Sequence, residues 1–203
     1  LSALMRMLYR LAFARCPIVF FQTADHLDLF TARKIVRSDQ ARLLPGSGVD
    51  LDRFRPASSE ASEGIRFLFV GRMLGDKGVR ELVEAARLLR PHRPDWKFQL
   101  LGPIDEDNRT GIGQAELDGW IQEGAIEYLG QADDVRPYIA ASTADVLPSY
   151  REAVPRSLLE AAAMARPMIG TDVPGNRRIV QHGANGLLCE ARDSNSLAEA
   201  MLA

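Results

Sequence analysis

Two glutamates stand eight residues apart around a predicted junction between a strand and a helix. Glu152 lies in the loop after the strand, and Glu160 lies more than one turn inside the helix. Pro155 suits the first helical position and leaves the amides of Arg156 and Ser157 free, and such a helix start attracts phosphate. The spacing predicts that both carboxylates border one ligand at different depths.

A second charged loop, residues 71–78, directly follows the predicted strand 65–70. Gly71 permits close approach of the backbone, while Arg72 and Lys77 supply two cations. Arginine can bind phosphate oxygens in bidentate fashion and lysine adds a point charge, so the loop suits a diphosphate. Because the loop matches neither the Walker pattern nor G-x-G-x-x-G, a solvated turn stays open as the alternative.

The residues that most often bind metal ions are scattered along this chain. His26, His92 and His182 show no close ligand spacing. Residues 105–107 spell D-x-D, but they fall in a long polar loop, which favours a solvated acidic cluster over a metal site. We therefore expect neither a metal nor another cofactor.

The ordered set of motifs resembles that of the retaining GT-B glycosyltransferases of family 4, the "group 1" type. An isolated E-x7-E pair would occur by chance in many proteins, whereas several motifs in the family's order are specific. The resemblance spans roughly residues 44 to 190. Its motifs are the E-x7-E pair, Val-Gly-Arg at 70–72 with Lys-Gly at 77–78, Glu-Tyr-Leu-Gly at 127–130, and Thr-Asp-Val-Pro-Gly at 171–175.

This resemblance implies the transfer of a sugar, with retention, from a nucleotide-sugar to a glycan or a lipid-linked glycan acceptor. The motif residues are most similar to those of enzymes of bacterial surface-polysaccharide assembly. The donor that the resemblance implies is a UDP-sugar. The nucleotide-sugar would be a co-substrate, so the family likeness also implies no metal. Two alternatives stay open: a GT-B epimerase that acts on UDP-sugars, and a catalytically silent module that binds nucleotide-sugars or a partner.

The resemblance also assigns roles to individual residues. Glu152 would be catalytic, orienting the sugar and stabilising an oxocarbenium-like transition state, and Glu160 would accept hydrogen bonds from both ribose hydroxyls. The donor diphosphate would be held by Gly71, Arg72 and Lys77 and by the helix start at Ala153, Val154, Arg156 and Ser157. The base would lie near Tyr128, Leu129 and Gly130.

Simpler structural roles stay open for several of these residues. Glu152 could have no role beyond a favourable charge interaction with the positive N-terminus of the helix. Glu160 could be a surface residue of that helix, and Tyr128 could belong to the core. Ala153 and Ala165 stand where the family commonly has glycine. An alanine methyl at 153 would crowd the sugar or demand a negative φ, so transfer could be altered.

Strands alternate with helices from residue 65 onward, in six β-α units. This alternation predicts an α/β fold with a Rossmann-like, doubly wound parallel sheet, whose ligand lies beyond the carboxyl ends of the strands. The predicted strands are 65–70, 96–101, 126–129, 144–147, 168–170 and 186–189. The predicted helices are 79–89, 114–123, 135–141, 157–165, 177–181 and 197–202.

We interpret the chain as a fragment truncated at both ends. Residues 1–56 would be the tail of an N-terminal, acceptor-side domain with the interdomain linker, and residues 57–203 a C-terminal nucleotide-sugar-binding domain. In the first part we predict helices over 1–15 and 24–37 and strands over 18–22 and 42–44. Apolar residues on one face of the first helix favour packing on a sheet over lying on a membrane.

Bulk properties fit an ordinary globular chain: 203 residues, 46% hydrophobic, 26% charged, with a formal net charge of −2. The charge is too small and scattered to indicate nucleic acid. Cys16 and Cys189 share no motif, which predicts two buried small side chains in a reducing compartment. With no apolar run near 20 residues and no signal pattern, we predict a cytoplasmic protein. Peripheral contact with the inner face of the plasma membrane, through an N-terminal domain, stays open.

Overall fold

The computed structural model describes residues 2–44, 46–56 and 64–203, and the chain divides into two compact units after Gly48. In the first unit two short strands pair in parallel, and Phe21, Ile35, Val36 and Ala41 form its small core. Its elements are α1 (Ala3–Phe13), β1 (Val19–Phe21), α2 (Ala24–Ala32) and β2 (Ala41–Leu43).

The first helix packs within this unit through its aromatic residues. Tyr9 and Phe13 pack against the small core, and their rings stack on each other at 5.7 Å between centroids. Leu4, Leu8 and Leu11 are more than half exposed. The predicted helix is therefore present, but the side chains that pack are not its leucines.

The second unit contains a six-stranded, all-parallel sheet in the order β5-β4-β3-β6-β7-β8. The chain adds strands outward in one direction from β3 and then in the other from β6, which is the doubly wound arrangement of dinucleotide-binding folds. The predicted fold class is confirmed. The strands are β3 (Arg66–Val70), β4 (Lys97–Leu101), β5 (Glu127–Tyr128), β6 (Ala144–Leu147), β7 (Met168–Thr171) and β8 (Gly186–Cys189).

Helices follow these strands along the chain and cover the sheet. They are α3 (Val79–Leu89), α4 (Gln114–Gln122), α5 (Arg136–Ala141), α6 (Arg156–Ala163) and α7 (Ser194–Leu202). Phe67, Leu68 and Phe69 are buried in succession along β3, because a parallel sheet is covered on both faces. Removal of one such side chain, Phe69→Ala, would cost about 3–5 kcal/mol of stability.

Two predicted helices are clearly shorter than expected. The helix predicted over 24–37 ends at Ala32, and Lys34, with a left-handed φ of 51°, follows its end. The segment predicted over 177–181 forms a single 3-10 turn, Asn176–Arg178. Ile179 and Val180, which follow it, are both buried. The two residues are apolar because successive positions of this segment are buried, and not because they lie on the buried face of a regular helix.

The boundary between the units lies at 48/49, whereas the sequence places the domain boundary at 56/57. Phe54 is buried in the core of the second unit, and the guanidinium of Arg136 donates to the carbonyl of Arg53 at 3.3 Å. The segment 49–56 therefore belongs to the second unit. Residues 57–63, the predicted start of the second domain, lie outside the described residues, and the assignment of residues 1–56 to the tail of an acceptor-side domain with the interdomain linker stays a prediction.

Both cysteines are free thiols, and Cys189 is buried as expected. Burial raises the pKa of its thiol to about 12. Cys16 is only half-buried, which corrects the prediction of two buried cysteines. None of the helices in the described part of the chain has the length and apolar character that a bilayer crossing requires.

Candidate functional site

A cavity of about 630 Å³ opens at the carboxyl edge of the sheet in the second unit. It lies where the strand order reverses between β3 and β6, the place at which doubly wound folds bind their ligands. Most of the predicted site residues line it: Gly71, Arg72, Lys77, Glu152, Val154, Arg156, Ser157 and Glu160.

The loops that follow β3 and β6 are held against each other by their backbones. The amide of Tyr150 donates to the carbonyl of Asp76 at 3.0 Å. Gly78 has a φ of +73°, and a Cβ placed on it would lie 2.0 Å from the carbonyl oxygen of Pro148. A larger residue at position 78 would push the two loops apart, so this glycine permits the contacts that build the site.

An ion pair joins these two loops inside the cavity. The Nζ of Lys77 lies 2.5 Å from Oε1 of Glu152, although 75 positions separate the two residues. The side chain of Glu152 is only 11% exposed and that of Lys77 28% exposed. Because the pair is largely shielded from water, its attraction is screened less than that of a surface pair.

A network under the loops after β6 and β7 fixes the position of Glu152. A Cβ on Gly175 would lie 2.4 Å from the carbonyl oxygen of Glu152, so the following loop presses directly on this glutamate. The amide group of buried Asn176 donates to the Thr171 carbonyl at 3.0 Å, and the Thr171 hydroxyl donates to the Ser149 carbonyl. The Thr-Asp-Val-Pro-Gly motif at 171–175 thus positions Glu152 through the backbone.

Helix α6 begins at Arg156, one residue before the predicted limit of 157. Pro155 is its N-terminal cap residue and not the first helical residue, which corrects the prediction. The amides of the first turn have no acceptor within the helix, so those of Arg156 and Ser157 remain available at the cavity wall. Val154 lines the cavity as well, whereas Ala153 does not. The predicted phosphate-binding helix start therefore faces the cavity without a direct contribution from Ala153.

Glu160 is a buried residue, 8% exposed, and not a surface residue of its helix. Its Oε1 accepts a hydrogen bond at 3.2 Å from Nη2 of Arg156, one turn earlier on the same helix. Burial raises the pKa of this carboxyl group, and the positive charges of Arg156 and Arg53 oppose that rise. The carboxylate lines the cavity beside the helix start, where it can accept from neutral hydroxyl donors.

Arg72 is paired with the first carboxylate of the D-x-D sequence. Its Nη1 lies 2.8 Å from Oδ2 of Asp105, and the side chains of these residues are 55% and 28% exposed, respectively. Glu106 instead accepts from the amide of Gln114, at the start of α4. Asp105 is thus a partner of the predicted phosphate-binding loop, which corrects its interpretation as part of a merely solvated cluster.

The predicted base-binding residues support the cavity wall but do not line it. The hydroxyl of Tyr128 donates to the Gly102 carbonyl at 2.9 Å, and the Gly102 amide donates to the Gly130 carbonyl at 2.8 Å. The amide of Leu129 donates to the Leu100 carbonyl. Burial raises the pKa of Tyr128. The wall itself comes from Gly102, Pro103, Gln131, Ala132 and Val135, which the sequence did not single out.

Asp145 is another residue that the sequence did not single out, because the run 144–147 is typical of an apolar strand. Its side chain is 1% exposed in the middle of β6, and its Oδ2 has no hydrogen-bond partner among the described residues. Burial, and then the negative charge of Glu160, raise the pKa of this carboxyl group well above its usual value. An aspartate within a strand of apolar residues was the available signal.

The two departures from the expected glycines differ in their consequences. Among the described residues other than glycine, positive φ occurs at Lys34, Ala165 and Arg192. Ala153 therefore adopts its conformation without left-handed strain. Ala165 has a φ of 55°, a conformation that costs an L-residue about 1–2 kcal/mol.

Taken together, the cavity combines the cations of Arg72, Lys77 and Arg156, the amides at the start of α6, the buried carboxylate of Glu160 and the half-buried carboxylate of Glu152. No group of three or more His, Cys, Asp or Glu side chains in the ranges 2–44, 46–56 and 64–203 is arranged to hold a metal ion. The cations and amides suit a phosphate-bearing ligand, and a carboxylate with a raised pKa beside them suits hydroxyl groups.

Several named glycosyltransferases are similar to this chain in sequence. A relative from Campylobacter jejuni, N,N'-diacetylbacillosaminyl-diphospho-undecaprenol alpha-1,3-N-acetylgalactosaminyltransferase, is 26% identical over 95% of this chain and 52% of its own length. D-inositol 3-phosphate glycosyltransferase from Pseudarthrobacter chlorophenolicus is 32% identical over 75% of this chain and 39% of its own length. The chain thus spans about half the length, or less, of these curated relatives.

Solved structures share the fold. Sucrose-phosphate synthase from Thermosynechococcus elongatus matches 99% of this chain and 52% of its own with a TM-score of 0.80 and 27% identity. Anabaena HepE in complex with UDP and glucose matches 96% of this chain and 55% of its own, with a TM-score of 0.79 and 19% identity. The family model described as "Glycosyl transferases group 1" matches residues 64–203, more than half of the chain. The chain belongs to this family of group 1 glycosyl transferases, as its motifs predict.

Proposed function

We propose that this chain provides the donor-binding half of a retaining glycosyltransferase that uses a UDP-sugar. One observation carries the proposal: Arg72, Lys77, Glu152 and Glu160 come from distant parts of the sequence and line a single cavity at the switch point of the sheet. Anabaena HepE has been solved in complex with UDP and with UDP-glucose. These ligands combine a diphosphate with ribose, which the chemistry of the cavity suits.

The diphosphate would lie between the loop after β3 and the start of α6. Arg72 and Lys77 would bind its oxygens, and the amides of Arg156 and Ser157 would meet it from the other side. The same groups would stabilise the charge that develops on the leaving diphosphate when the glycosidic bond breaks. Two cations at this position could perform that task without a metal.

The two glutamates would take opposite ends of the donor. Glu160, buried beside the helix start, would accept from both ribose hydroxyls. Glu152 would lie beside the sugar and stabilise the positive charge of the oxocarbenium-like transition state. Gly175 and Asn176 would hold Glu152 in place through the loop contacts described above.

The acceptor is a glycan or a lipid-linked glycan in this proposal. The Campylobacter relative carries a diphospho-undecaprenol carrier in its name, which supports an acceptor of that class. Such an acceptor would place the reaction on the cytoplasmic side of the membrane, in surface-polysaccharide assembly. Tyr128, Leu129 and Gly130 would act on the base indirectly, through the Gly102 wall that they support.

Calorimetry with UDP and with uridine tests the proposal on this chain. We expect UDP to bind and Lys77→Ala and Arg72→Ala each to weaken it by about 1.5–3 kcal/mol, the contribution of a hydrogen bond to a charged group. Uridine binding should change much less, because uridine lacks the phosphates. Absence of UDP binding would contradict the proposal, and equal losses for both ligands would mean that the substitutions damage the fold.

Two further measurements test whether donor binding needs a metal and whether this chain transfers sugar. Addition of EDTA should leave the UDP affinity unchanged, and a strong loss would indicate a metal in donor binding. With a radiolabelled UDP-sugar and a glycan acceptor, we expect the chain to bind donor without transferring sugar. Transfer by these 203 residues alone would show that the acceptor side is already present within them.

A further inference from the structure

Both cations of the proposed diphosphate site already have carboxylate partners in the ligand-free chain. Lys77 pairs with Glu152 at 2.5 Å and Arg72 pairs with Asp105 at 2.8 Å. Lys77, Arg72 and Glu152 line the same cavity, and Asp105 approaches it through Arg72. A donor diphosphate therefore meets two neutralised cations, not two free ones.

We propose that Asp105 and Glu152 are exchangeable counterions that a diphosphate must displace from Arg72 and Lys77. This inference rests on the proposed function, and it adds to it a specific role for Asp105 and a second role for Glu152. Each carboxylate carries one negative charge, whereas a diphosphate presents several oxygens and more charge to the same two cations. Exchange favours ligands with two adjacent phosphates and disfavours weaker anions.

The exchange has a consequence for the reaction itself. While Lys77 neutralises Glu152, that carboxylate offers little net negative charge to a neighbouring group. When the diphosphate takes Lys77, Glu152 loses its counterion in a position that is shielded from water. Its charge becomes available beside the sugar only when a donor is bound, and the developing positive charge of the oxocarbenium ion then replaces the lysine.

The two pairs differ in burial and should differ in effect. The Arg72–Asp105 pair is partly exposed, and pairs of this kind contribute little. The Lys77–Glu152 pair is much less exposed, so its rupture costs more. Glu152 should therefore restrain donor binding more strongly than Asp105 does.

The test is a titration of this chain and its variants with UDP and with uridine. We expect Asp105→Asn to tighten UDP binding about two- to fivefold, in keeping with a partly exposed pair, and Glu152→Gln to tighten it about tenfold. Uridine affinity should change by less than about twofold for both variants, because it makes no contact with the cations. This increase is opposite in sign to the loss expected if Asp105 and Glu152 only contributed contacts to the nucleotide.

A matched control addresses the general effect of removing a negative charge. Glu123 pairs with Arg87 at 2.5 Å, with similar chemistry but outside the residues that line the cavity. Glu123→Gln changes the net charge as much as Glu152→Gln does, and it should leave UDP affinity within about twofold of the parent. An equal increase for Glu123→Gln would overturn the inference.

A double-mutant cycle separates displacement of Glu152 from simple repulsion between Glu152 and the phosphates. In a Lys77→Ala background there is no pair to break, so Glu152→Gln should no longer tighten UDP binding. An increase that persisted in this background would indicate repulsion and overturn the exchange. If the parent chain binds UDP but neither substitution tightens it, the exchange is wrong and the donor site stands; if the parent binds no UDP, the proposed function itself is wrong.

Discussion

Glu152 and Glu160 have almost the same exposure, 11% and 10% of their side chains, yet they obtain their partners in different ways. Glu160 pairs with Arg156 of the same helix, four residues away. Glu152 pairs with Lys77 of a loop that leaves a different strand. A partner on the same helix is provided by local geometry, whereas a partner on another loop exists only when the sheet is assembled.

This difference also separates a group that positions a ligand from a group that the ligand would change. The Glu160–Arg156 pair is built into α6 and can persist when a nucleotide binds. The Lys77–Glu152 pair crosses the place where the diphosphate would lie, so binding would break it. The following predictions test this contrast, beginning with the largest expected effect.

Glu152→Gln should lower kcat of the full-length protein by about a hundredfold or more, because it removes negative charge beside the developing oxocarbenium ion. The variant should still bind UDP, and about tenfold more tightly than the parent if the exchange of counterions holds. Steady-state kinetics with a UDP-sugar donor measure the first effect. A kcat within about threefold of the parent, with only a lower melting temperature, would assign Glu152 to stabilisation of the helix start.

Glu160→Gln should mainly raise the KM for the donor, by about tenfold or more, because a hydrogen bond to a charged group contributes about 1.5–3 kcal/mol. Ribose contacts are made about equally in the ground and transition states, so kcat should change little. The same kinetic assay, run beside Glu152→Gln, compares the two glutamates directly. A fall in kcat with an unchanged KM would reverse the assignment of their roles.

The burial of Asp145 predicts a pH-dependent stability. Its pKa and that of Glu160 are higher in the folded chain than in the unfolded one, so the folded state binds more protons between those values. Stability should therefore fall as the pH rises above the unfolded pKa of each group. The loss is about 1.4 kcal/mol for each pH unit that separates the folded and unfolded pKa values of Asp145.

Asp145→Asn removes the stronger of these two contributions and should make the decline with pH shallower. Urea unfolding at several pH values between 4 and 8 compares the stability of the variant with that of the parent chain. This is about the range in which carboxyl groups with raised pKa values titrate. If the free energy of unfolding fell equally with pH in both proteins, Asp145 would not be the source of the pH dependence.

The smallest expected effect concerns the end of helix α6. Ala165→Gly should stabilise the chain by about 0.5–1 kcal/mol, because relief of the left-handed conformation outweighs the greater freedom of glycine in the unfolded state. Ala163→Gly, within the same helix, should instead destabilise it by up to about 1 kcal/mol. Thermal unfolding of both variants measures the difference, and a loss of stability for Ala165→Gly would show that the strain is absent.

Local signals in the sequence predicted most of the fold. The limits predicted for α3, β6 and β8 agree with the structure at both ends, because each is a short apolar pattern bounded by glycine or proline or by polar residues. The prediction of a helix over 177–181 was less accurate, because consecutive buried apolar residues resemble a helical pattern in the sequence. The compact units divide at 48/49 and not at the predicted 56/57, because Phe54 is buried in the core of the second unit, whose other core residues come later in the chain.

The sequence by itself determined which chemical groups would be at the carboxyl edge of the sheet. Gly71, Arg72 and Lys77 follow one strand, and Glu152 and Glu160 follow another, so the β-α alternation alone brings them to one side. The tertiary structure decided their pairing. The contact of Lys77 with Glu152, the pairing of Arg72 with Asp105 and the burial of Asp145 depend on strand order and loop packing, which bring together groups too far apart in sequence for local patterns to specify.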